Sequence, residues 1–389
     1  MNKSSGRRPL SSIFHKVSVI STSARWGFWF TSLVSLSHWT TPGVACTIPA
    51  RMLFESENRA RILAESVLIV GVTVLYVATR LALWPGTQDG DISPKRRALA
   101  QWMPVLVTTA AALALRQPTV AINLVFGTSV ACLSLVLGLS SYVAPLQELP
   151  PNRRVWPLVL PAALLVLLIG FRGNFTWVHA VMLLVMGASF LAVWMERPAA
   201  NAQLAPAAAA ASPRSWKGAI VIAIALAILG GWAAVKGAVA TGEQSRMITA
   251  PLIATAVLSP LMMLPALGSA TIAAHRGQIG NVITSLCGTV QLNLCALLPA
   301  VILFDAFGGA VLHLSDATAV ASAGGALPAT PFPLVTWRVD AVVLLLLSFA
   351  LIPVAFGRWL PERLESMLLI MVYAAYLVAE TALSARLIH

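Results

Sequence analysis

The chain has 389 residues, of which 58% are hydrophobic and only 10% charged, and its mean hydropathy is +0.83. A water-soluble domain carries about 25% charge, so the composition excludes an ordinary soluble enzyme and defines an integral, polytopic helical membrane protein. The formal net charge of +12 does not argue for nucleic acid, because the basic residues collect in loops and in the N-terminal tail, where they set orientation in a bilayer.

In chain order, residues 1–60 form a basic tail. It reads either as a signal-like segment, with WGFWFTSLVSLSHW as its apolar part, or as sequence upstream of a natural start at Met52. Ten spanning helices are predicted. Five lie near 64–84, 98–115, 118–143, 155–171 and 176–195. The other five lie near 217–240, 249–274, 278–304, 336–357 and 361–387. The Ala/Pro stretch at 198–216 is too polar and broken to span, so it links a five-helix half at 61–197 to another at 217–389. An odd number of helices per half makes the repeats inverted. The segment from Phe307 to Val335 is rich in Gly, Ala and Pro and is expected to be an irregular surface loop.

Twelve basic residues fall in loops on one side of this topology and five on the other, which places both termini outside. The expected location is a bacterial inner (plasma) membrane. The four cysteines have no metal or disulfide spacing.

One pattern occurs in both halves. Pro104 is followed 23 residues later by Gly127-Thr128, and Pro265 is followed 23 residues later by Gly288-Thr289. Each copy reads as an apolar helix, a turn with basic residues (Arg116; His275 and Arg276), and a second apolar helix broken at the Gly-Thr pair. Broken hairpins in corresponding positions of two halves point to the substrate site of a secondary transporter. Pro104, Gly127, Pro265 and Gly288 are the expected hinges.

The candidate ligands are neutral: Thr108, Thr109, Asn123, Thr128 and Ser129 in the first copy, and Ser269, Asn281, Thr284, Ser285, Thr289, Gln291 and Asn293 in the second. Between Gln101 and Gln147, and between Gln244 and Phe304, there is no Asp or Glu. Calcium takes six to eight oxygens, usually with carboxylates among them, so an inorganic monovalent cation or small polar solute suits this set better. Acids within the helices lie elsewhere: Glu65, Asp340 and Glu380, each near enough to an interface to be solvated or salt-bridged. Glu380 is the deepest and is the candidate for proton coupling. His179 and His275 sit at helix ends. No phosphate loop, zinc-protease motif or catalytic triad occurs, and no cofactor is expected. Oligomeric state is not legible.

The paired hairpins resemble the alpha repeats of the calcium/cation antiporter superfamily, which includes sodium/calcium exchangers and bacterial calcium/proton antiporters. The second copy, LSPLMMLPALGSATIAAHRGQIGNVITSLCGTVQLNLCALLPAVILF, is the nearer match, with Pro299 where a closing proline is expected. The first copy's GTSVACLSLVLGLS and the terminal ESMLLIMVYAAYLVAE are also similar to family segments. The resemblance implies cation antiport by alternating access. It also implies a carboxylate beside the motif proline of each repeat. By register those positions are Val105 and Ala266, or Leu261 if Pro260 is the motif proline, and none is acidic. Two readings follow: an antiporter with a neutral site, or a relative that kept the scaffold as a membrane binding or assembly protein.

Overall fold

The computed structural model describes residues 49–88, 94–144, 156–171, 174–195, 216–245, 248–313, 330–331, 334–356 and 362–388. Tertiary contacts divide the chain into Met1–Glu55 and Ser56–His389, and apart from the first turns of α1 the features described below lie in the second unit. Residues 1–48, most of the expected tail, lie outside the described residues, as does most of the linker at 198–216.

Every one of the ten expected spans is a helix. They are α1 (Pro49–Gln88), α2 (Pro94–Ala114), α3 (Pro118–Val143), α4 (Val159–Gly170), α5 (Trp177–Met195), α6 (Trp216–Gln244), α7 (Ala250–His275), α8 (Ile279–His313), α9 (Leu334–Ala355) and α10 (Arg363–Ile388). Seven are long and apolar enough to cross a bilayer. The helices at Trp156–Gly170 and Val339–Ala355 are shorter but apolar. α2 opens with the basic run Lys95-Arg96-Arg97 and turns apolar only after it.

Two boundaries differ from expectation. α1 begins at Pro49, well before the apolar run, because 49–63 is rich in Ala, Arg, Glu and Leu, which propagate a helix without being hydrophobic. An exposed Arg61–Glu65 ion pair one turn apart (3.0 Å) adds a little. α8 runs on to His313, past Phe307, where a loop was expected. Gly308-Gly309 is tolerated there within an Ala/Val/Leu stretch.

α3 and α8 form the centre, and nearly all of their membrane-length windows are enclosed by protein. α3 packs on α2, α7 and α10, while α8 packs on α2 and α5; α4 lies on α9, and α2 on α6. α1, α5 and α10 face mostly outward and expose Ile69, Val185 and Met371 among others. Such wide apolar exposure is what lipid contact requires. Asn174–Phe175 pairs antiparallel with Thr330–Pro331 as two short strands, β1 and β2. That pairing brings the residues just before α5 beside those just before α9.

Several element boundaries recur at a constant offset of 161 residues. The second hairpin helices start at Pro118 and Ile279. A π-helical segment follows in each, Cys132–Val136 and Asn293–Leu297. The preceding turns carry positive φ at Arg116 (56°) and Gly277 (75°), again 161 apart. α7 has a further π-helical segment at Ala254–Leu258.

Candidate functional site

The centre is built where the hairpin α2–α3 crosses the hairpin α7–α8. The two Gly-Thr pairs lie inside it. Gly127 has no Cβ because one would stand 2.5 Å from Ser259 Oγ and 3.2 Å from Thr255 Cα on α7. Gly288 lets Trp194 and Ala98 approach, since a Cβ would meet them at 3.1 and 3.3 Å. These glycines act as contact points and not as breaks. The helix stays α through both Gly-Thr pairs, and the distortion comes a turn later, in the π segments. Pro104 and Pro265 also sit inside continuous helices. Thr108 Oγ1, one turn after Pro104, donates back to the Pro104 carbonyl at 2.7 Å.

The threonine of each pair meets the opposite half. Asn293, the first residue of its π segment, donates through Nδ2 to Thr128 Oγ1 (3.2 Å) and to Ser129 Oγ (3.1 Å). Thr289 Oγ1 lies 3.3 Å from Gln101 Oε1, which accepts from it, and Gln101 Nε2 donates onward to Ser269 Oγ at 3.4 Å. A third link joins Thr255 Oγ1 to Asn123 Oδ1 at 3.4 Å. All of these residues are buried.

Most hydroxyls here also donate to their own preceding turn: Thr128 to Leu124 (2.7 Å), Ser129 to Val125 (2.7 Å) and Ser134 to Val130 (2.5 Å). That arrangement spends the hydroxyl hydrogen on the helix and leaves oxygen lone pairs facing the crossing. Asn293 Oδ1 and Thr109 Oγ1 are buried with no hydrogen-bond partner. The crossing therefore offers acceptor oxygen without negative charge. Val105 and Ala266 are fully enclosed, neither of them facing lipid. Among the described residues, no group of three or more His, Cys, Asp or Glu could hold a metal ion.

The remaining candidates lie elsewhere. Thr284 accepts from Trp156 Nε1 at 3.0 Å, and Gln291 Nε2 donates to the Leu158 carbonyl, so both fasten the start of α4 and are not part of the crossing. Ser285 donates to Val282 within its own helix. Asn281 is only partly buried at the start of α8. Gln101, Thr255 and Ser259 were missed. Their signal was a polar side chain in an apolar run, the same signal that marked Asn123.

Asp340 and Glu380 correct the interfacial expectation. Both are buried, and neither forms a salt bridge among the described residues. Tyr376 OH donates to Asp340 Oδ1 at 2.6 Å. Glu65 is partly exposed in its pair with Arg61. His179 is at the start of α5, where its Nδ1 accepts from the Thr176 N–H at 3.1 Å, and His275 is exposed.

These features define a polytopic membrane fold with two crossed hairpins at its centre. No family model and no curated protein matches the chain. Solved structures do match. The sodium-calcium exchanger NCX_Mj soaked with 10 mM Na+ and 10 mM Sr2+ superposes with a TM-score of 0.51 at 19% identity, covering 81% of this chain and 97% of that one. The same exchanger soaked with 10 mM Na+ and zero Ca2+ gives 0.50 at 19% identity, covering 81% and 98%. In 2.5 mM Na+ and 0.1 mM Ca2+ it gives 0.50 at 19%, covering 81% and 97%. The likeness is one of fold, and the neighbours are ion exchangers and not enzymes.

Proposed function

We propose that the protein is a secondary active transporter of the cation-antiporter type, working by alternating access at its paired hairpins. In this reading the two five-helix halves, 61–197 and 217–389, are inverted repeats, which the 161-residue offset supports. The cargo is a monovalent inorganic cation or a small polar solute, exchanged for protons or sodium. The observation that carries the reading is the meeting of Thr128 and Thr289, the twin Gly-Thr threonines, with Asn293 and Gln101 of the opposite halves. A hydroxyl and amide site holds a monovalent ion at modest desolvation cost. A divalent ion needs carboxylates to offset its own cost, and the crossing has none.

The test is ion flux in proteoliposomes across sodium, potassium, calcium and proton gradients. Sodium or potassium flux driven by an opposing gradient is expected, with little calcium flux. Asn293→Ala should lower it about tenfold, the equivalent of one hydrogen bond at a buried site. A second reading, a membrane binding or assembly protein on a transport scaffold, draws on the hydroxyls that bond back to their own helices. Wild-type vesicles that pass none of the four ions would favour it and overturn a cation as the cargo.

A further inference from the structure

We infer that Asp340, Tyr376 and Glu380 form a proton-binding site between α9 and α10, apart from the hairpin crossing. Asp340 lies six residues into α9, about 9 Å along its axis, and Glu380 lies eight residues before the end of α10, about 12 Å. The buried stripe of α10 is unusually polar. Ser366, Tyr373, Tyr376, Glu380 and Ser384 all turn inward, while Met367, Met371 and Val378 face outward. A helix that needed only to pack would put its apolar side chains on the protein face.

The cluster has unfilled capacity. Tyr376 occupies Asp340 Oδ1, but Asp340 Oδ2, Glu380 Oε1 and the Tyr373 hydroxyl are buried without a hydrogen-bond partner. Glu380 and Tyr373 are both within electrostatic reach of the Tyr376 hydroxyl, and the two tyrosine rings lie 6.1 Å apart. Two carboxyls within electrostatic reach of each other in a membrane interior call for a positive charge nearby. Among the described residues, the elements packed against α9 and α10 supply none. α4, all of α3 and the first turns of α7 contain no Asp, Glu, Lys, Arg or His, and the titratable groups of α3 are Cys132 and Tyr142. Arg338, Arg363, Glu365 and Arg386 are the other charged residues of α9 and α10. With two carboxyls and, among the described residues, no third acid beside them, the donor set is too small for a multivalent metal. A proton needs only one oxygen and one acceptor. Binding adds it to Asp340 Oδ2 or Glu380 Oε1, and release returns it to water.

Its use rests on the transport reading. α10 packs directly on the π segment Cys132–Val136 of α3, one turn beyond Thr128 and Ser129. A change in the charge of the acid pair therefore bears on the helix that carries half of the crossing.

The experiment is infrared difference spectroscopy of the purified full chain, following the carboxylic C=O band between about pH 5 and pH 9. A band that grows on acidification, is lost in Asp340→Asn or Glu380→Gln, and shifts in Tyr376→Phe is expected. A wild-type spectrum whose carboxyl signal is independent of pH overturns the proposal even if both variants fail to fold. So does a pH-dependent band that both variants retain unchanged. In vesicles, Glu380→Gln should lose at least tenfold in proton-driven uptake while keeping exchange of the cargo ion for itself. Absence of any wild-type flux would instead remove the transport reading and leave the spectroscopic test of the site standing.

Discussion

Asn293 concentrates the chemistry of the crossing in one side chain. Its Nδ2 holds two hydroxyls of the opposite half, and its Oδ1 is left open. Asn293→Asp keeps the volume but removes the donor. Thr128 and Ser129 would then have to turn from their own carbonyls to donate to a carboxylate. A buried charge without a partner costs about 3–5 kcal/mol, so the variant should melt well below wild type in cation-free buffer. Sodium or calcium should recover part of the loss, and should do so far more than in wild type. Thermal unfolding in detergent at graded cation concentrations checks this. Equal melting with and without cations would show that Asn293 is a packing residue and not part of a cation site. That Asn293 and Asn123 would find polar partners inside the bundle was legible, because an amide in an apolar run is costly to bury alone. Where Thr284 and Gln291 point was not. Ile279–Leu292 of α8 is buried almost throughout, on its polar side as well as its apolar one, so the sequence pattern does not say which neighbour a polar side chain will find.

At the scale of elements, hydropathy located the ten helices because a bilayer leaves few alternatives to a helix of about 20 apolar residues. The π segments had no such signal. They arise from packing, and nothing in CLSLV or NLCAL distinguishes them from ordinary helix. The Gly-Thr pairs were found by spacing but misread as breaks, since a glycine that admits a neighbouring helix and one that ends its own helix look alike in sequence. Gly127 is testable. Gly127→Ala would press its Cβ to 2.5 Å from Ser259 Oγ, and overpacking of this kind costs roughly 1–3 kcal/mol. Ser259→Gly in the same chain should recover most of that loss. Strictly additive losses in the double-mutant cycle would deny the contact. The turn between α7 and α8 supports a parallel test. Gly277 has φ 75° in open space, so Gly277→Val should lower stability by about 1–2 kcal/mol through backbone strain alone. An unchanged melting temperature would show that the turn relaxes.

Across the whole molecule, the 161-residue offset and the crossing of the halves leave one question that geometry sharpens. The antiporter resemblance assigns a carboxylate to Val105 and Ala266, and both positions are enclosed in the protein interior. Val105 lies one turn after Gln101, and the Ala266 carbonyl accepts from Ser269 Oγ at 2.9 Å, so each is adjacent to the linked pair Gln101–Ser269. If the register is right, Val105→Glu with Ala266→Glu brings two carboxylates from opposite halves to one region of neutral oxygen donors. Two negative charges match one calcium ion, and the hydroxyls and amides complete the six to eight oxygens it requires. Without an ion the same change is unfavourable. An acid at a helix centre costs about 2.5–3.5 kcal/mol on insertion scales, and the two repel. The double variant should therefore melt lower than wild type in chelator and gain several degrees with calcium, whereas wild type should show no calcium shift. Each single variant should melt lower and respond weakly, because one carboxylate leaves the ion's charge half balanced. A double variant that melts lower and ignores millimolar calcium would dismiss Val105 and Ala266 as the lost acidic positions, and the resemblance would then rest on fold without register.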